Sequence, residues 1–176
     1  DLRDLIEGKN WLIKTGYVDP ERTGILGDSY GGFLVLSAMA FHPSEFAVGV
    51  ELFGIANWIR TLRDLPSYWE NYKDAFYREM GYPDKDGDYL RSISPIYYAE
   101  QITNPLMVIQ GGKDSWVLTV EAEEVVDTVK RGGVDVEYLL FEDEGHGFTG
   151  KTNRLKAYRG ILEFLDRHLK DRENKT

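Results

Sequence analysis

Gly27-Asp28-Ser29-Tyr30-Gly31 has the form Gly-x-Ser-x-Gly and stands between two apolar runs. The run before it, Gly24-Ile25-Leu26, suits a short buried strand. The run after it, Gly32 to Phe41, suits a buried helix. A strand, a sharp turn and a helix with serine at the apex predict a nucleophile elbow. The turn forces the serine into a strained backbone conformation, and flanking glycines let strand and helix pass closely. The serine oxygen is then exposed at the carboxyl end of a sheet, facing the positive end of the following helix.

Working outward, Asp1 to Thr15 reads as an amphipathic helix with Leu2, Leu5, Ile6, Leu12 and Ile13 on one face and Gly16 as its stop. The helix after Ser29 is expected to end at His42-Pro43, since the residue before proline resists the helical conformation. Residues 46–53, 105–110 and 136–141 are apolar runs that predict three further buried strands. Ala122, Val125, Val126 and Val129 mark an amphipathic helix over 120–130. A last helix carries Leu155, Tyr158, Leu162, Leu165 and Leu169 on one face. Residues 54–103, rich in Trp, Tyr and charge, read as a helical excursion over the sheet. Strands alternating with helices imply an α/β chain with a mostly parallel sheet and helices on both faces.

Length and composition narrow the function. The 176 residues suffice for one domain with a real core, so 1–176 is expected to be a single domain. The net charge of -9 comes from acids spread along the chain, which reads as a solvated acidic surface. No basic stripe exists to neutralise phosphates, which argues against nucleic acid as a partner. No apolar stretch reaches membrane-spanning length. The absence of cysteine excludes disulfides and thiolate metal sites and fits a reducing, cytoplasmic location. No cofactor is implied.

In open parallel sheets chemistry collects on loops at the carboxyl ends of strands. Three such loops carry suitable residues: Ser29 after the first strand, Asp114 after the third and His146 after the fourth. The order Ser, Asp, His is that of the α/β-hydrolases. His146 would act as general base, Asp114 would hold the imidazole tautomer, and Ser29 would form an acyl-enzyme. Of the three histidines, His42 reads as a surface residue at a helix end and His168 as solvated among charges. Asp143 and Glu144 lie too near His146 to be its acid, and Asp28 should point away from the serine. A turn-forming role for Asp114 stays open. No second histidine lies at ligand spacing from His146, so no metal is expected.

Three blocks resemble the catalytic blocks of the prolyl oligopeptidase family of serine peptidases, in particular its acylaminoacyl-peptidase and dipeptidyl-peptidase branches. They are Gly-Asp-Ser-Tyr-Gly-Gly at 27–32, Gln-Gly-Gly-Lys-Asp-Ser-Trp-Val at 110–117 and Phe-Glu-Asp-Glu-Gly-His-Gly-Phe at 141–148. Asp19-Pro20-Glu21-Arg22-Thr23-Gly24-Ile25 resembles the family's lead-in to the serine; Ser94-Pro95 and Pro105-Leu106 resemble its lead-in to the acid. The resemblance implies peptide or ester cleavage by Ser29, Asp114 and His146, with the backbone N–H of Tyr30 in the oxyanion hole. It further implies that Ile55, Trp58, Trp116 and Val117 line the pocket for the residue preceding the scissile bond.

The family's catalytic domain has strands before the serine, and a propeller ahead of them, that this sequence does not show. Those strands carry the second oxyanion donor, whose loss typically costs about 3 kcal/mol of transition-state stabilisation. The chain is therefore expected to be a truncated α/β-hydrolase. Its serine-bearing strand would become an apolar edge that invites pairing, predicting a homodimer or higher oligomer. The resulting expectation is a prolyl-oligopeptidase-like serine hydrolase that cleaves small or acylated peptides, or esters, with the shortened chain favouring weak esterase activity. The rival classes are a carboxylesterase and a catalytically inert fragment serving as an interaction module.

Overall fold

In the computed structural model, which describes residues 1–170, four strands form one parallel sheet in the order β1-β2-β3-β4. They are β1 (Gly24–Asp28), β2 (Val48–Leu52), β3 (Leu106–Gly111) and β4 (Val136–Phe141). Strand order follows chain order because each crossover carries helical structure that covers a sheet face. The α-helices are α1 (Leu2–Lys14), α2 (Tyr30–Phe41), α3 (Trp58–Arg63), α4 (Lys73–Met80), α5 (Gly87–Ser92), α6 (Thr119–Arg131) and α7 (Lys151–Leu165), the last running into a π-helical turn over Asp166–Lys170. Three 3₁₀ turns, at Pro20–Arg22, Ser67–Tyr72 and Pro95–Gln101, complete the described elements.

Alternation along the strands assigns the two faces. Leu106 and Val108 pack with α2 and α6, where Val35, Met39, Val125 and Val129 complete one core. Met107 and Ile109 point the other way and meet Ala157, Ile161 and Phe164 of α7. β2 and β3 are buried along their whole length, as strands covered on both sides must be. α2 is apolar all round and is sunk in the core apart from its first turn. A third cluster joins Phe33, Ile55, Trp58, Leu62, Leu90 and Val117 beneath the excursion over 54–103.

Several expectations need correcting. In α7 the side chains that reach the core are Ala157, Ile161 and Phe164. The larger stripe flanks them: Leu155, Tyr158 and Leu162 are exposed and Leu165 is half-buried. Tyr158, Leu162 and Leu165 stand along the β1 side, where they join Leu26, Asp28 and Leu52 around a shallow groove, whereas Leu155 stands on the β4 side beside Glu137 and Leu139. Leu26 is itself 55% exposed, because β1 is the sheet edge and the groove leaves its α7-side face uncovered. No residue of α1 is fully buried, so its apolar face packs only loosely on α2.

The acids are not all solvated: Glu51, Glu121 and Glu144 are among the most deeply buried side chains of the protein. His168 is half-buried rather than solvated, with Nε2 3.2 Å from Asp135 Oδ2 and its ring on Phe164 at 4.6 Å.

Candidate active site

The elbow forms as its spacing predicts. Ser29 closes β1 and opens α2 with φ 54 and ψ -117, a backbone conformation sparsely populated by non-glycine residues. Two contacts hold it there: its N–H donates to Leu52 O at 2.8 Å, and its C=O accepts from Phe33 N–H at 3.0 Å. Of the motif's two glycines, only Gly27 is sterically required. A Cβ on Gly27 would lie 2.5 Å from the backbone of Gly31, whereas one on Gly31 would meet nothing within 4 Å. The second tight passage is at Gly32, where a Cβ would lie 2.7 Å from Gly54 Cα.

The loops after β3 and β4 bring the other two residues to the serine. Asp114 is shut off from solvent at its carboxyl, while the His146 side chain keeps 31% of its surface open. His146 Nδ1 lies 2.8 Å from Asp114 Oδ2, and His146 Nε2 lies 2.9 Å from Ser29 Oγ. Asp114 Oδ1 accepts from Trp116 N–H at 2.8 Å and Val117 N–H at 3.0 Å, so the turn that Asp114 forms also aims its other oxygen at the histidine. Asp114 thus forms the turn and faces His146 at the same time. With a carboxylate on Nδ1, the proton of a neutral imidazole sits on Nδ1, and the Nε2 lone pair faces the serine hydroxyl.

Beneath this chain Gln110, fully buried, donates from Nε2 to Val117 O at 2.8 Å and lies 3.4 Å from Asp114 Oδ2. Phe53, the residue after β2, has φ 52 and sets its ring against His146 at 5.7 Å and Phe148 at 5.2 Å. The imidazole is therefore confined on one side by an aromatic wall.

A cleft of about 360 Å³ opens at Ser29 and His146 and is walled by Tyr68, Trp69 and Trp116. Of the four expected pocket residues, Trp116 lines this cleft. Ile55, Trp58 and Val117 lie in the third core cluster under it, at most 3% exposed, because the short helices of the excursion need their own apolar floor. The sequence alone does not mark Tyr68 and Trp69 as site residues. They sit on a 3₁₀ turn without helical or strand periodicity, and the available signal was only the local density of aromatic residues. Trp69 stacks at 4.8 Å on Trp116 and at 5.1 Å on Phe76, which fixes the cleft wall.

Tyr30 begins α2, where the first N–H groups have no partner within the helix. Its ring packs on Phe33 at 5.3 Å and Trp58 at 6.1 Å, and its hydroxyl donates to Asp1 Oδ2 at 2.7 Å. Burial raises the Tyr30 phenol above its usual range, with Tyr89 and Glu79 adding to the effect. His42 caps the end of α2 and Asp28 is exposed at the end of β1. Among the described residues no group of three or more His, Cys, Asp or Glu could hold a metal ion.

The parallel sheet, the serine elbow and the loops after β3 and β4 define an α/β-hydrolase fold. The chain belongs to the prolyl oligopeptidase family, which its sequence matches over residues 1–172. It is 35% identical over 162 residues to dipeptidyl aminopeptidase BIII of Pseudoxanthomonas mexicana, covering 91% of this chain and 23% of that protein. It is 31% identical over 169 residues to dipeptidyl peptidase family member 6 of Caenorhabditis elegans, covering 94% of this chain and 23% of that protein. The uncomplexed acylaminoacyl peptidase of Pyrococcus horikoshii superposes with a TM-score of 0.85 at 25% identity, over 99% of this chain and 29% of that one. The chain thus spans under a third of the length of these relatives.

Proposed function

We propose that this chain carries the nucleophile, base and acid of a serine hydrolase that cleaves peptide or ester bonds through an acyl-enzyme. The observation that carries the reading is the hydrogen-bonded series Ser29 Oγ, His146 Nε2, His146 Nδ1, Asp114 Oδ2 at the floor of an aromatic cleft. Ser29 Oγ attacks the carbonyl carbon as His146 Nε2 takes its proton. The imidazolium that forms faces the buried Asp114 carboxylate, which stabilises it without itself taking the proton. His146 then protonates the leaving amine or alcohol, and water repeats the sequence to release the acid. The Tyr30 N–H, at the positive end of α2, receives the oxyanion.

Esters need less help than peptides in expelling their leaving group. An activity restricted to small acyl esters is therefore the second reading. In a third, the residues stand in place but the chain by itself turns nothing over and acts as an interaction module. Hydrolysis of a p-nitrophenyl ester separates these, with Ser29→Ala as control. Equal rates in both proteins overturn the hydrolase reading, and a fluorophosphonate that fails to label Ser29 favours the inert one. We further propose that the β1 edge is covered by a second copy of the chain, on the strength of the exposed Leu26 and of a strand edge that no other described strand pairs.

A further inference from the structure

His146 lies on the loop 142–150, which holds Gly145, Gly147 and Gly150. Gly147 has φ 124, and its N–H donates to Gly145 O at 2.9 Å, so the chain turns tightly around the histidine. A loop this rich in glycine loses much backbone entropy on ordering and needs a specific restraint. Glu144 provides one. Its side chain is almost fully buried. Its Oε2 accepts from Thr149 N–H and Thr149 Oγ1–H, each at 2.8 Å. Its Oε1 accepts from Gly150 N–H at 2.9 Å and Asn153 Nδ2–H at 2.8 Å.

All four donors come after His146 in the chain while Glu144 comes before it. The carboxylate therefore closes a ring around residues 145–148. Its backbone C=O accepts from Lys113 N–H at 2.8 Å, which ties the same residue to the loop that carries Asp114. Gly150 is the N-cap of α7 and makes no side-chain cap bond, so the Glu144 carboxylate caps that helix in its place. A Cβ on Gly150 would lie 2.8 Å from Glu144 Oε1, which explains a glycine there.

We propose that Glu144 is a positioning residue for His146, holding the imidazole between Ser29 and Asp114 by clamping the two ends of its loop. This inference rests on the hydrolase reading for its effect on rate but not for its effect on geometry. Glu144 touches neither Ser29 nor the imidazole. The hydrogen bonds from the Thr149 backbone, then from Asn153 and the Thr149 hydroxyl, hold its carboxyl down to about 2, so the clamp stays charged at neutral pH. Among residues near His146 that look like spare acids, it is the one whose every oxygen is engaged.

The test compares Glu144→Gln with Ala157→Gly, which loosens α7 in the core at a residue that lies outside the loop and makes none of the Glu144 hydrogen bonds. Each protein is followed by thermal melting, by the downfield proton resonance of His146 Nδ1–H, and by kcat and KM on a p-nitrophenyl ester. Glu144→Gln is expected to broaden or remove the resonance and to lower kcat by roughly 10- to 100-fold with KM little changed, the range that small misplacement of a reacting group produces. Ala157→Gly, with a comparable loss of melting temperature, is expected to keep both. If Glu144→Gln does not fold, Thr149→Val removes one donor and should shift both readouts the same way by less. A resonance and kcat in Glu144→Gln, or in Thr149→Val where it replaces it, no more altered than in Ala157→Gly overturn the proposal. If the unmutated protein shows no Ser29-dependent turnover, the hydrolase reading fails, and the resonance alone decides this one.

Discussion

His146 Nε2 lies 2.9 Å from Ser29 Oγ across 117 positions of sequence, and Asp114 meets the opposite ring nitrogen at 2.8 Å. Each residue stands at the carboxyl end of a different parallel strand, so the sheet itself sets their spacing. Ser29→Ala and His146→Ala are expected to abolish ester turnover above the background of bound but uncatalysed substrate. Asp114→Asn should leave the fold intact and lower kcat by about 10⁴-fold, because an amide donor facing Nδ1 favours the wrong imidazole tautomer. Steady-state rates of the three variants check this, and an Asp114→Asn protein within tenfold of wild type would remove Asp114 from the mechanism.

The strands and these three residues were legible because apolar runs mark buried strands and polar residues just after them mark loops at one sheet end. The elbow added backbone chemistry specific enough to place a serine. The cleft wall was not legible: Tyr68 and Trp69 follow no period and reach Ser29 only through the path of the excursion. The buried acids were illegible for a different reason. Glu121 and Glu144 look like any surface glutamate in sequence, and Glu51 is a lone charge inside the apolar run 46–53; what lets all three stay buried is a set of backbone N–H donors. Gly54 serves Glu51, Ala56 and Asn57 serve Glu121, and Thr149 and Gly150 serve Glu144. In α7 the stripe of Leu155, Tyr158 and Leu162 was conspicuous, yet the face against the sheet is Ala157, Ile161 and Phe164.

Trp69 links the cleft to the aromatic cluster behind it, with Trp116 at 4.8 Å and Tyr72 at 5.6 Å. Trp69→Ala should raise KM by roughly 2- to 10-fold for substrates with an aromatic acyl group and change kcat less, as loss of an aromatic contact predicts. Tyr72→Ala, which removes a ring of the same cluster outside the cleft, should leave KM unchanged. Equal effects of the two variants would mean that Trp69 acts on stability and not on substrate.

Gly54 and Gly31 make opposite demands. A Cβ on Gly54 would lie 2.6 Å from Glu51 Oε2 and 2.7 Å from Gly32 C, so backbone and a buried carboxyl would both have to move. Gly54→Ala should destabilise the protein by about 1–3 kcal/mol or more, the range for overpacked cores. Gly31→Ala meets open space in a helix and should be neutral or stabilising by up to about 1 kcal/mol. Urea unfolding midpoints at constant slope distinguish them.

The β1 edge bears on assembly. Leu26 at 55% and Leu162 at 58% exposed stand together beside the β1 edge, which no other described strand pairs. Sedimentation at micromolar concentration should show a dimer or larger species, and Leu26→Lys should shift it towards monomer by placing charge on the edge. A wild-type protein that sediments as a monomer overturns the proposal of a second copy on this edge.

Glu51 lies on the buried strand β2 with its Oε2 accepting from Gly54 N–H at 2.8 Å. Burial pushes its carboxyl up from 4.5 to about 8; the Gly54 hydrogen bond opposes this and Glu121 nearby adds to it. Below 4.5 the group is protonated in both folded and unfolded chains. Between 4.5 and about 8 the unfolded chain releases the proton while the folded protein keeps it, so stability falls as pH rises and the loss levels off above that window. Glu144 adds nothing to this slope, being ionised in both states there, and its own contribution is lost only in acid, towards about 2. Glu51→Gln keeps an acceptor for Gly54 N–H and removes the titration. Its stability relative to wild type should therefore rise with pH across the window, by a few kcal/mol in all at about 1.4 kcal/mol per unit at most. Urea unfolding of both proteins at about pH 5 and about pH 8 measures the difference. Parallel stability curves would show that the Glu51 carboxyl ionises in the folded protein as readily as in the unfolded chain.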